Sequence, residues 1–195
     1  MSERIIFTFE IILIDFFTAY GLITILYLIL SIFTKNQLIK QVDEQSNRSI
    51  SFVGIIYLIV WMIATITDLN SIDEESKASL LNRMFGEYWF TVWLQPFLWF
   101  SITQLLRFKV IRKNILLRLV FSILLILSIE RIVIIITSFH RDYLPSSWSM
   151  YSSIYPSNIF IELPMRISFF LVFVGFFVFI NRKINEWKIK KTNSQ

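Results

Sequence analysis

The residues of this chain best equipped to move a proton gather in one stretch, Glu130–Trp148, which reads ERIVIIITSFHRDYLPSSW. An acid and a base, Glu130 and Arg131, sit within an apolar run, and the single histidine, His140, follows with Asp142 just beyond it. Two further acids, Glu10 and Asp15, stand inside the first apolar run, and Glu162 and Arg166 stand at the head of the last. Ionisable side chains at membrane depth cost about 2.5–3.5 kcal/mol each on insertion scales, so they face a bundle interior and mark an ion or proton path. A carboxylate beside fixed positive charge tends to stay ionised, whereas desolvation favours the neutral acid, and the contest between the two makes a proton-exchanging group. An imidazole titrates near neutral pH without any perturbation. The candidate site is therefore Glu130, Arg131, His140, Asp142 and Asp15, with Glu10 as a further exchanger and Arg131 and Arg166 tuning proton affinity. The same side chains also have a purely structural reading, in which buried ions pair across helices and pin the bundle.

Those residues need apolar elements to hold them, and the composition supplies them. The 195 residues are 55% hydrophobic and 17% aromatic, and the mean hydropathy is +0.63. Such a composition is that of a membrane protein rather than a soluble domain. Apolar runs of about 20 residues predict five transmembrane helices, at about 5–33, 52–69, 88–108, 115–139 and 158–180, so the expected fold is an all-α, polytopic membrane helix bundle. The first run carries two acids and lacks a small-residue cleavage pattern, so it reads as a mature helix rather than a signal peptide. With polar, charged connections and no internal repeat, residues 1–195 read as a single integral membrane domain. The absence of cysteine excludes protein-ligated iron–sulfur clusters, structural disulfides and c-type haem attachment. One histidine excludes paired-histidine haem ligation within one chain, and no metal motif is present.

Lys35, Lys40 and Arg48 follow the first run, Arg107–Arg118 lie between the third and fourth, and Arg182–Lys191 follow the fifth. In a five-span chain these segments share one side, which the positive-inside rule makes cytoplasmic, leaving the N-terminus outside. The net charge of +5 is then topology rather than a nucleic-acid footprint. On a rise of about 1.5 Å per residue, Glu10 falls about one turn inside the outer edge and Asp15 near the midplane, and with Glu130, Arg131, Glu162 and Arg166 nearly all the intramembrane ionisable groups fall in the outer half. The cytoplasmic half is expected to hold Gln104 as its chief polar group. Tyr88, Trp89, Trp93, Trp148, Tyr151 and Tyr155 read as an outer aromatic belt. Pro96 is expected to bend the third run.

From Gly86 to about residue 182 the chain resembles a known family. The segment WLQPFLWFSITQLLRF from Trp93 to Phe108, followed by the basic turn Lys109–Asn114, is similar to a helix pair of the NrfD-like membrane subunits of polysulfide-reductase type. Glu130-Arg131, Ile132–Ile134, Ser138, His140–Asp142, Leu144–Trp148 and Tyr155-Pro156 resemble the late-helix pattern of the quinol-oxidising membrane subunit of bacterial alternative complex III. This resemblance implies a multi-pass subunit of a bacterial inner membrane, handling quinol and protons beside other membrane subunits and an outer-face iron–sulfur protein, with any quinone site shared with a partner. An alternative is a noncatalytic anchor or assembly subunit that docks a partner through the outer loop 140–157. An ion-coupled transporter fits less well, since five unrepeated helices contain no broken-helix pair.

Overall fold

A computed structural model describes residues 2–34, 36–87, 89–127 and 159–192. Seven helices make up nearly all of it: α1 (Ser2–Phe33), α2 (Gln37–Ser71), α3 (Glu74–Phe85), α4 (Trp89–Leu105), α5 (Lys109–Lys113), α6 (Ile115–Ile126) and α7 (Ile159–Thr192). There is no strand among the described residues. Among the described residues, three segments are long and apolar enough to cross a membrane: Ile5–Phe33 of α1, all of α2, and Phe160–Trp187 of α7. The third expected run forms α4, whose 17 residues continue through Pro96. The fourth is described as far as Leu127, with α6 covering its first part.

The largest departure from the sequence reading is α2. The segment after α1, expected to be a cytoplasmic loop, is helix from Gln37 onward. Asn36 caps that helix by accepting a hydrogen bond from the Leu38 amide at 2.9 Å, satisfying one of the donors a helix start leaves free. At 35 residues α2 is about 52 Å long, well beyond a hydrocarbon core of about 30 Å. Its first third is polar, yet Asp43, Ser46, Asn47, Ile50, Val53, Gly54 and Tyr57 are buried, and that is a helical stripe continuing into the apolar part.

The second departure is α3, which forms between the second and third expected runs, where the alternation of sides predicts an outer loop over residues 70–87. Asp73 accepts a hydrogen bond from the Ser76 amide at 3.2 Å, and Glu74 and Glu75 occupy the first turn, where they suit the positive end of the helix dipole. Trp93 of α4 donates its indole N–H to the Met84 carbonyl at 2.9 Å and packs edge-on against Trp61 of α2, 5.4 Å between ring centres. Hydrogen bonds from the Ser76 side chain and amide hold the Asp73 carboxyl below its ordinary pKa. A depressed folded-state pKa contributes stability above the unfolded value and loses it as pH falls through the folded one. Protection of the amides at the start of α3, the exchange rate taken relative to the intrinsic rate at each pH, is thus expected to fall below the ordinary carboxylate range. Asp73→Ala should lower that protection already at neutral pH and remove the part of its pH dependence that the carboxylate causes.

At the centre stands α1, packed on α2, α6 and α7. It runs antiparallel to α2: Glu10 and Asp68 line one cleft, while Tyr20, further along, donates to Asn47 at 2.8 Å. Phe17, Tyr57 and Trp99 form an aromatic core with ring centres 5.1–5.5 Å apart. The Trp99 indole N–H donates to the Leu124 carbonyl at 3.0 Å. Phe16 packs on Phe173 of α7 at 4.8 Å. Meanwhile Phe7, Ile59, Val172, Phe176 and Phe179 are exposed, an outward-facing apolar surface that suits lipid.

Apolar surface gives helices no reason to associate within lipid, so close packing and interhelical hydrogen bonds carry the load. Two glycines allow that approach. A Cβ on Gly21 would meet Ile126 at 2.6 Å and the Ser122 carbonyl at 2.7 Å, and one on Gly54 would meet Thr103 Oγ1 at 1.9 Å. Beside Gly54, Ser51 Oγ lies 2.9 Å from the Thr103 carbonyl and Gln104 donates to the Ser51 carbonyl at 2.9 Å, clasping α4 to α2. Gly54→Ala is expected to cost about 1–3 kcal/mol through overpacking, read as a lower unfolding midpoint in detergent. Adding Thr103→Ala should recover part of that loss.

Candidate functional site

Arg166 joins α1 to α7. One guanidinium nitrogen lies 2.8 Å from Asp15 Oδ1 and the other 2.5 Å from Glu162 Oε1. The α7 half of this cluster follows from its i, i+4 spacing, which places both side chains on one helical face. The α1 half follows from register, since Phe16, Phe169, Phe170 and Phe173 pack together beside it. Only 6% of the Asp15 side chain and 11% of the Arg166 side chain are exposed, so the charges interact through a medium that screens them far less than water does. A planar guanidinium holding two carboxylates by separate nitrogens fixes both geometries at once.

Glu10 does not belong to this cluster. It lies five residues from Asp15 on α1, a rotation of about 140°, and faces Thr67 and Asp68 of α2 across a small cleft. A direct file from Glu10 to Asp15 is thus not formed, although both acids occupy the same half of the helix.

A second buried ion pair lies toward the other end of the bundle, where Gln104 was expected as the chief polar group. Arg118 of α6 donates to Asp43 of α2, with 5% and 12% of the two side chains exposed. The Arg118 guanidinium also stacks over the Tyr27 ring, 5.0 Å from its centre. Asn47 donates to the Asp43 carbonyl at 2.6 Å and accepts from the Tyr20 hydroxyl. Sequence reading placed Asp43 in a loop, whereas it lies in α2; it placed Arg118 at a helix end among basic residues, where the first turn of α6 does hold it, but buried and paired with Asp43. The available signal was the spacing Asp43, Ser46, Asn47, Ile50, Gly54, Tyr57, which repeats at helical intervals into the apolar run. The bundle interior therefore carries two acid–guanidinium centres, one at Asp15 near the middle of α1 and one beside Tyr27 nearer its end, with Tyr20 and Thr18, also buried, on the stretch of α1 between them.

Of the residues expected to do chemistry, Asp15 lies in the first centre. Glu130, Arg131, His140 and Asp142, and with them the 140–157 loop, lie outside the described residues. Among the described residues, no group of three or more histidine, cysteine or acidic side chains is arranged to hold a metal. Chemically, the Asp15–Arg166–Glu162 arrangement can hold negative charge in an apolar setting, or exchange a proton when one carboxylate leaves the guanidinium.

No protein-family model, curated protein or solved structure matches the chain. Function has to be argued from these charges.

Proposed function

We propose that this chain is a five-span integral membrane subunit of a bacterial respiratory electron-transfer complex, forming one domain with its N-terminus outside. In this reading it contributes to quinol oxidation and proton release near the outer face. The redox centres and part of the quinone site belong to other membrane subunits and an outer-face iron–sulfur protein. The observation that carries the proton-handling half is the Asp15–Arg166–Glu162 cluster, a set of buried charges shared between two membrane-length helices. Charges placed there at such cost generally serve a path for protons or ions. The quinol half rests on the likeness of residues 86–182 to NrfD-like subunits, and gives Glu130, Arg131, His140 and Asp142 the outlet.

Extraction in mild detergent tests the proposal. Quinone and an iron–sulfur protein should leave the membrane with this chain, and Glu130→Gln should arrest quinol-dependent electron transfer while the assembly stays intact. A chain that elutes without quinone or any redox chromophore sinks the reading.

The Asp43–Arg118 pair favours a second reading, a noncatalytic anchor or assembly subunit. It repeats the acid–guanidinium motif at the basic end, where an outer proton outlet has no use for it. Docking would then fall to the 140–157 loop, and Trp148→Ala combined with Arg141→Ala should release the partner.

A further inference from the structure

Beside the clasp between α2 and α4 is a cleft of about 320 Å³ whose walls separate into a charged part and an apolar part. Arg48 of α2, Arg107 just beyond α4 and Arg112 of α5 supply the charge, and Phe52, Ile55 and Phe177 supply the apolar wall. No carboxylate is among the residues that line it. The nearby acids are already engaged, Glu44 with Arg48 at 3.1 Å and Asp43 with Arg118. Arg107 leans on the Gln104 side chain at 3.3 Å, a neutral partner. Arg112 Nε is buried with no hydrogen-bond partner among the described residues.

Glu44 offsets Arg48, but Arg107 and Arg112 bring like charges from separate elements to the same cleft, and a buried N–H without an acceptor is costly. Both costs fall if an anion with several oxygens occupies the cleft. Guanidinium geometry matches phosphoryl oxygens by paired hydrogen bonds. From Arg48 to Ile55 along α2 the wall turns from charged to apolar over about 10 Å, and Phe52 packs on Phe177 of α7 at 5.8 Å. A free inorganic anion would have no use for that wall, whereas an amphiphile would fill both parts. We infer that the Arg48–Arg107–Arg112 cleft is a binding site for the phosphoryl headgroup of an anionic membrane lipid, with the start of an acyl chain lying against Phe52 and Phe177. Basic pockets between membrane helices are suited to such headgroups. The site lies on the face formed by α2, α4, α5 and α7, away from the Asp15 cluster, and does not depend on the electron-transfer reading.

The full chain in nanodiscs of phosphatidylcholine alone, or of phosphatidylcholine mixed with phosphatidylglycerol, provides the test. Thermal unfolding and native mass spectrometry of bound lipid supply the readouts. Phosphatidylglycerol should raise the unfolding midpoint and remain bound through gentle release from the bilayer. Arg112→Gln and Arg107→Gln should each weaken its retention by about tenfold or more, the loss expected for a charge-assisted hydrogen bond. Arg107 is exposed, so its variant tests the site even if Arg112→Gln folds poorly. Lys183→Gln, a basic control outside the cleft, should leave retention unchanged. Equal retention of the two lipids, or equal loss in the control, would overturn the assignment. Inorganic phosphate reproducing the stabilisation in phosphatidylcholine alone would overturn it too, by showing that the acyl wall plays no part.

Discussion

Replacing Arg166 by methionine is expected to destabilise the bundle by about 3–5 kcal/mol, the usual cost of stripping one partner from a buried ion pair. Methionine keeps most of the side-chain stem, so the loss reports the charge rather than a cavity. Without the guanidinium, Asp15 is left buried and Glu162 partly buried, with 6% and 22% of their side chains exposed. Asp15→Asn is milder because it leaves the Arg166–Glu162 contact in place. Its cost should fall nearer 1–3 kcal/mol, in the range for a disrupted hydrogen bond to a charged group. Unfolding midpoints in lipid–detergent micelles give the order, and the Asp15→Asn, Arg166→Met cycle gives the coupling. A coupling near zero in that cycle would mean that the Asp15–Arg166 contact does not hold α1 to α7. The same pair separates the functional readings. If Asp15→Asn abolishes turnover while costing little stability, the carboxylate handles protons; if activity falls only as stability does, it is an anchor.

Much of that cluster was legible in the sequence. Glu162 and Arg166 announce themselves by their spacing, because one helical turn fixes their relation regardless of anything else. Asp15 is conspicuous as an acid in the middle of an apolar run. Its partner was narrower to foresee, since several helices could have faced it, and the choice of α7 depends on aromatic packing between Phe16 and Phe173. The basic end was much less legible. Asp43 sits among Gln, Glu, Asn and Ser, a composition that reads as a loop when apolar runs are the only guide. Hydropathy reports what a segment can bury in lipid, whereas this part of α2 buries polar groups against protein. The helical spacing of its small and polar residues was the better signal. The three membrane-length helices were visible from composition. The extent of α2 and α7 beyond their apolar parts was not, because helix length is set by caps and tertiary contacts as well as by the bilayer.

The Asp43–Arg118 pair allows the sharpest separation of structure from chemistry. Arg118→Met should cost about 3–5 kcal/mol, because it leaves Asp43 buried without its cation and removes the guanidinium from above Tyr27. Arg118→Lys should fall between the variant and the native chain, since an ammonium keeps the charge but lacks the planar group that stacks and bonds together. Replacing the whole pair, Asp43→Leu with Arg118→Met, should recover most of the stability, as apolar substitution of a complete buried ion pair is often neutral or stabilising. That recovery is measurable by the same unfolding midpoints, and failure to recover would show that Asp43 serves contacts beyond Arg118, Asn47 being the nearest. A double variant that is as stable as the native chain and fully active makes the pair a pin between α2 and α6. A double variant that is stable yet inactive requires a charge at that depth, and extends proton handling from the Asp15 cluster toward the basic end of the bundle.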